Sequence, residues 1–323
     1  MRTFLVLAVI CLVIGFGCDR SAPSNASAGN AAITLQLNWL AEPQFGGFYA
    51  AAIDGEYARQ GLDVTVQQGG ASAPTIDMLA AGTVKFAIVS GDEILVARAR
   101  GKKVVAIYAV YQTHPQGILT HAARGFQVID DVFKTEGTLA MEQGLPYSNF
   151  LKAKFGLDKL KIVPSPAGDL SVFRSDPQYS TQCFVTSEPL AARKLGLDVK
   201  TFLIADAGYN PYATVLATTE DAWNNERATV VAMVKAVHAG WTKYIADPTA
   251  ANRHMQTLNS TLDAETFAAS AAAQLPLIDS GPAVGNMTRA RWQTLADQLV
   301  ELKVLNSHPP IDECFIDPAE LLR

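Results

Sequence analysis

With 323 residues, 49% hydrophobic and only 18% charged, the chain has the apolar material for a large packed core and the length for two compact lobes. A formal net charge of −5 and the lack of any basic cluster exclude a nucleic-acid partner, since a phosphate backbone needs clustered Lys and Arg. Lys102-Lys103 is an isolated pair of the kind found on solvated surfaces.

The N-terminus carries the clearest signal. Arg2 supplies one positive charge, Phe4 through Gly17 is almost entirely apolar, and Cys18 follows. This pattern predicts an export signal over residues 1–17, too short for a confident membrane span of about 20 apolar residues. Gly17-Cys18 resembles the bacterial lipobox, which predicts lipidation of Cys18 and anchoring to the membrane through that lipid; Gly15 and Phe16 depart from the usual pattern, and a plain signal peptide or an uncleaved anchor is the alternative. Residues 18–30, rich in Ser, Ala, Asn and Gly, read as a flexible tether. Cys11 would leave with the signal, so Cys183 and Cys314 are the remaining thiols. In an oxidising compartment they either pair as a disulfide or stay as two buried thiols.

Beyond the tether, Ile33 to Asn38 alternates apolar and polar residues and predicts a strand, ended by the Pro- and Gly-rich run from Trp39 to Gly47. A helix follows from Phe48 to about Gln60, then a strand over 62–66, a short helix over 74–81, a strand over 85–89, a helix over 92–100 and a strand over 104–109. The alternation resumes with strands at 138–141, 161–163, 182–185 and 201–205 and helices at 147–155 and 188–195. From about Asp221 the chain turns helical and Ala-rich, with helices over 223–244, 248–258, 263–273 and 288–302. Strands alternating with helices at this spacing predict an α/β fold of βαβ units with parallel sheets.

In such sheets ligands collect where strands end and loops enter helices. The candidates are Asn38, Trp39, Phe45 and Tyr49 in the first loop, Ser90 and Asp92 after the third strand, Tyr111 and Gln112 after the fourth, and Glu142 and Glu188 in the second unit. Gly46-Gly47 would let backbone approach a ligand closely, and Gln68 to Ser72 forms a further loop. Each candidate has a structural alternative: Trp39 and Phe48 as core, Asp92 as a helix cap, Glu188 as a first-turn carboxylate facing the helix dipole. The five histidines show no metal spacing, and no Walker loop, nucleophile elbow or dinucleotide fingerprint is present, so no metal and no cofactor is expected.

As a set, Leu35 to Trp39, Gly47 to Ala51, Gly55-Glu56-Tyr57, Gly61 to Val64, Ala81 to Ile88, Thr186 to Ala191 and Gly208 to Tyr212 resemble the periplasmic binding proteins that include the thiamin-pyrimidine, riboflavin, sulfonate and nitrate binders. The resemblance covers about residues 33–245. It implies a two-lobed clamshell (type II), each lobe a sheet flanked by helices. Lobe one would span 31–112 plus 212–323 and lobe two 113–211. Two hinge strands would lie near Gln112–Gln116 and Gly208–Tyr212, where Pro115 and Pro211 suit extended crossings. It also implies ABC permease and ATPase subunits as partners, and capture of a small molecule without turnover. Within the family the Asn38-Trp39 opening is closest to the pyrimidine-precursor and flavin binders, whose flat ligands need stacking and hydrogen bonds at the ring edge. Trp39, Tyr49 and Tyr111 would stack; Glu188, Glu142 and Asn38 would bond ring nitrogens or amines; Tyr209 lies on the return crossing. No convergent Arg pair is present for a sulfonate or nitrate. The competing class is an enzyme: the fungal thiamin-pyrimidine synthase shares the fold and much of the first motif but carries a Cys/His-rich stretch that this chain lacks. An anchored sensor is a third reading.

Overall fold

The computed structural model describes residues 32–70, 73–166, 168–278 and 284–323. The expected export signal over residues 1–17, the tether, Cys18 and the Ala71-Ser72 end of the second loop lie outside them. In chain order the first part comprises β1 (Ala32–Gln36), α1 (Gly46–Ile53), α2 (Glu56–Arg59), β2 (Asp63–Gln67), α3 (Thr75–Ala80), β3 (Phe86–Val89), α4 (Gly91–Ala99) and β4 (Val104–Tyr111). The middle part comprises β5 (Gln116–His121), α5 (Ile129–Lys134), β6 (Gly137–Ala140), α6 (Pro146–Phe155), β7 (Leu160–Val163), α7 (Ser171–Ser175), β8 (Tyr179–Phe184), α8 (Glu188–Lys194) and β9 (Val199–Leu203). The last part comprises β10 (Ala213–Thr219), α9 (Glu220–Asn225), α10 (Arg227–Ala246), α11 (Thr249–Leu258), α12 (Ala264–Gln274), α13 (Arg289–Glu301) and α14 (Pro318–Leu321).

These strands form two five-stranded sheets, ordered β2-β1-β3-β10-β4 and β7-β6-β8-β5-β9. The sheets are mixed rather than parallel. β10 runs antiparallel to both β3 and β4, and β5 antiparallel to both β8 and β9. The alternation of strands and helices does not reveal these two strands, because β10 and β5 are the ones that arrive from the other sheet. Gln112 to Pro115 carries the chain from β4 into β5, and 204–212 carries it back from β9 into β10. Each lobe therefore owns one strand delivered by a crossing, and the crossings are the covalent joints between lobes.

Burial follows the layers. Every residue of β4 is buried, because helices cover both faces of the first sheet. One face packs on α1, α10, α11 and α12 through Phe48, Trp241, Tyr244 and Phe267. The other packs on α4 and α13 through Ile94, Leu95, Trp292 and Leu299, and that cluster continues through Tyr212 and Tyr209 to Ile118, Phe133 and Leu151 of the second lobe.

Two positions decide the local path after β1. The expected helix from 48 to 60 is broken at Gly55, whose φ of +72° is the left-handed region where a Cβ is penalised. Gly46 and Gly47 allow α1 and α10 to touch: a Cβ on Gly46 would come within 2.0 Å of the Tyr244 ring, and one on Gly47 within 2.2 Å of the Trp241 ring. The two glycines thus serve helix packing, not backbone approach to a ligand.

Candidate functional site

Trp39 follows β1, half-buried at the edge of the first core. Its loop is held from behind. The Gln68 side chain accepts from Ala41 N–H at 2.7 Å, Gly69 N–H donates to the Trp39 carbonyl at 3.0 Å, and Asn259 donates to the Ala41 carbonyl at 3.2 Å. Three residues on stands Glu42, whose carboxyl is within electrostatic reach of the Trp39 indole. Burial is the main cause that raises the Glu42 carboxyl to about 7; the indole opposes the shift and the Glu188 carboxyl adds to it.

Glu188 comes from the other lobe. It opens α8, ahead of Pro189, and its Oε2 accepts the Phe184 N–H at 2.8 Å. Burial raises its carboxyl too, opposed by the backbone N–H groups of Glu188 and Phe184. Just before that helix start lies the buried Thr186, within electrostatic reach of the Tyr111 hydroxyl at the end of β4. The Tyr111 hydroxyl donates in turn to Gln274 Oε1 at 2.8 Å, and Gln274 Nε2 donates to the Pro43 carbonyl at 3.0 Å. The end of α12 is thereby bonded both to the residue after Glu42 and to the end of β4. Between the lobes stand an indole and two half-buried carboxyls, and among the described residues neither carboxyl has a Lys, Arg or His ion-pair partner. The raised Glu42 carboxyl makes its protonated form accessible near neutral pH. Such a pair accepts hydrogen bonds from N–H groups, and the protonated member also donates one.

Of the residues singled out from sequence, Trp39, Tyr111 and Glu188 meet here, with Asn38 half-buried beside Trp39. Glu42, Thr186 and Gln274 complete the group. Glu42 lies in the first loop, where a carboxylate is ordinarily solvated; Gln274 ends an Ala-rich helix with no local signal.

The other candidates have different places. Phe45 is fully buried in the core, and Tyr49 is buried on α1 with its ring 5.6 Å from that of His254. Ser90 caps α4: its N–H donates to Glu93 Oε2 at 2.7 Å and its hydroxyl bonds Asp92. Glu142 is exposed, its N–H held by Gln182 at 2.6 Å. Cys183 and Cys314 form no disulfide. Both are free and buried, Cys183 in β8 of the second lobe and Cys314 near the C-terminus against the first, and burial pushes the Cys314 thiol up to about 12.

Gln112 and Tyr209 belong to the hinge. Gln112 Nε2 donates to the Ala109 and Asn286 carbonyls at 3.0 and 3.1 Å, and Asn210 Nδ2 reaches the Gln112 carbonyl at 3.4 Å. Tyr209 donates to Asp92 Oδ2 at 3.0 Å. Arg291 of α13 ties both crossings. Its guanidinium donates to the Asn210 carbonyl at 3.0 and 3.2 Å and to the Pro211 carbonyl at 3.3 Å, approaches Gln112 Oε1 at 3.5 Å, and lies 3.9 Å over the Tyr212 ring. His114 sits in the first crossing, its Nδ1 accepting the Gln116 N–H at 3.0 Å; burial lowers its imidazole to about 4, with Asp92 opposing the shift and Arg291 adding to it.

Comparison with known proteins agrees with this architecture. A riboflavin-binding protein, RibY, from Chloroflexus aurantiacus is 24% identical over 268 residues, 76% of this chain and 74% of that protein. The periplasmic aliphatic sulphonate-binding protein SsuA from Escherichia coli superposes with a TM-score of 0.69 at 14% identity, over 89% of this chain and 92% of its own. The desulfurization enzyme DSZB superposes with a TM-score of 0.60 at 13% identity, over 90% and 97%, so binders and an enzyme share the fold. The sequence profile of the family described as NMT1/THI5 like matches residues 42–251. That stretch takes in the Glu42 loop, both crossings and α8, and the chain belongs to the NMT1/THI5-like family, built on the two-lobed fold of periplasmic binding proteins.

Proposed function

We propose that this chain is the solute-binding subunit of an ABC-type importer. It is exported, anchored through lipid on Cys18, and closes its lobes over a flat nitrogen heteroaromatic of the thiamin-pyrimidine kind, which it releases unchanged. One observation carries the choice of ligand: the Glu42 carboxyl beside Trp39 in one lobe feels the charge of the Glu188 carboxyl in the other, and among the described residues neither acid has a cationic ion-pair partner. Two carboxyls in a dry space repel a sulfonate or nitrate and favour a ring whose edge carries N–H donors. An aminopyrimidine edge has both a donor and an acceptor, matching an ionised and a protonated carboxyl. The indole supplies the stacking face.

A flavin is the second reading. The 24% identity to a riboflavin-binding protein favours it, and the isoalloxazine ring also presents an N–H flanked by carbonyls. A transport role is supported by the likeness to proteins named for binding riboflavin and aliphatic sulphonates.

Calorimetric titration of the purified protein against thiamin pyrimidines, riboflavin, taurine and nitrate tests the reading, with native mass spectrometry of ligand carried through purification. Stoichiometric binding of a pyrimidine, recovered unchanged, is expected. Tight binding of taurine or nitrate with no response to either ring system would sink the ligand assignment, and turnover of a bound candidate would sink the binding-only role. Cys18→Ser is expected to move the protein from the membrane fraction to the soluble one.

A further inference from the structure

The lobes also meet on the outside of the molecule, beyond the cleft. Lys194, the last residue of α8 in the second lobe, forms an ion pair with Asp263, the N-cap of α12 in the first lobe, and Glu265 Oε2 lies 4.0 Å from the same ammonium. The two helices pack on each other. Both also end in the ligand site. α8 begins with Glu188, about 9 Å from Lys194 at the helical rise. α12 ends with Gln274, which bonds the Tyr111 hydroxyl and the Pro43 carbonyl. An opening about the crossings that carries α8 away from α12 therefore parts Lys194 from Asp263 as it moves Glu188 away from Gln274.

We propose that the Lys194–Asp263 pair is a latch that biases the lobes toward the closed arrangement before ligand arrives. The pair is exposed on both sides, 47% and 56% for the two side chains. It therefore shifts the equilibrium by a modest factor, roughly 1.5- to 5-fold. A modest factor suits a binding protein that must let go of its cargo, since an equilibrium locked closed would slow release as much as it aids capture. The chemistry at Asp263 also permits a clean test. Its Oδ1 caps α12 by accepting the Thr266 N–H at 2.9 Å, and Asn at an N-cap accepts the same bond, so Asp263→Asn removes the charge and keeps the cap.

The experiment needs no ligand. Labels on a ketone side chain introduced at exposed Gln60 and Lys159 leave the native cysteines untouched and report the inter-lobe distance distribution. In low salt, Lys194→Met and Asp263→Asn are each expected to lower the closed-to-open ratio by roughly 1.5- to 5-fold, and the double variant to lower it no further. Raising salt to about 1 M is expected to shift the wild type by a similar factor and to leave Lys194→Met unmoved. Unchanged ratios in both single variants, additive effects in the double variant, or a wild type with no closed population at low salt would each overturn the latch.

Discussion

The hinge and the cleft both join the lobes, and both are built from polar side chains at strand ends, but they balance charge in opposite ways. In the hinge every strong group has an answer within the protein: Arg291 donates to the carbonyls of Asn210 and Pro211, Asp92 accepts from Tyr209, and Gln112 donates to two carbonyls. In the proposed cleft Glu42 feels the charge of Glu188, and among the described residues neither carboxyl is ion-paired to a cation. A self-satisfied polar group contributes to the fold; one left short is available to a ligand. Tyr111 and Gln112 are neighbours in sequence, yet Tyr111 points its hydroxyl to the cleft side, toward Thr186 and Gln274, while Gln112 turns into the hinge. Position at a strand end selects neither role; the partners do.

If that contrast is right, the largest loss of stability comes from the hinge. Arg291→Ala removes the donors to two crossing carbonyls and the cation over the Tyr212 ring. Charge-assisted bonds are each worth roughly 1.5–3 kcal/mol and the bared carbonyls cost more, so denaturant unfolding is expected to show a loss of about 3 kcal/mol or more. Arg291→Lys, lacking the planar fork, is expected to recover only part of it. A loss below about 1 kcal/mol would mean that the crossings hold themselves.

The two regions also titrate in opposite senses. The Glu42 carboxyl is raised to about 7 in the fold from 4.5, so the native state holds more protons than the unfolded chain across that window, and stability falls as pH rises through it. His114 is lowered to about 4 from 6.5, so the unfolded chain holds more protons there, and stability falls as pH drops through that window. Between about 4.5 and 6.5 the two slopes offset. Glu42→Gln removes that carboxyl's share of the cleft's slope and leaves the share of Glu188, which burial also raises. It is expected to raise stability at pH 8 by up to about 3 kcal/mol, the equivalent of the pKa shift, and to unmask the acid-side fall in melts taken from pH 7 to 4. Parallel curves for wild type and variant would show that Glu42 is not the buried acid described.

The fold was legible where periodicity was strong. The strands and helices of the first unit and the C-terminal helices stand near their expected places, apart from the break at Gly55 and the split of the expected 223–244 helix at Glu226, between α9 and α10. β5 and β10 were missed because each begins directly after a Pro-containing crossing and their Thr- and Gly-bearing runs, Gln116 to His121 and Ala213 to Thr219, carry no flanking helix on the entry side. Of the site, Trp39 and Glu188 were readable from loops entering helices. Glu42 was not, because its neighbour across the cleft is 146 positions away in the chain. Gly46-Gly47 shows the reverse error: a motif that reads as ligand contact is used for the close approach of α10.

The smallest expected change is the one most specific to function, and it lies in the cleft. Trp39→Ala removes a half-buried indole whose ring would stack on the ligand; stacking of a base on an aromatic is worth roughly 1–3 kcal/mol by alanine substitution in nucleic-acid binders. Glu188→Gln keeps the size of the side chain and removes the charge that would receive an N–H donor, a bond worth roughly 1.5–3 kcal/mol. Each is expected to weaken binding of the best-bound pyrimidine by about tenfold to a hundredfold in calorimetry. The melts separate this from packing. A core tryptophan cut to alanine costs roughly 3–5 kcal/mol with or without ligand, whereas Trp39, resting on the edge of the first core with one side open, is expected to cost less than half of that in the ligand-free protein. Glu188→Gln is expected to leave the ligand-free melt within about 1 kcal/mol of the wild type, since burial already disfavours the ionised carboxyl and an amide oxygen still accepts from Phe184 N–H. A Trp39→Ala protein that loses stability like a core mutant yet binds normally would return that residue to the scaffold, and the cleft would then have to recognise its ligand through the two carboxyls alone.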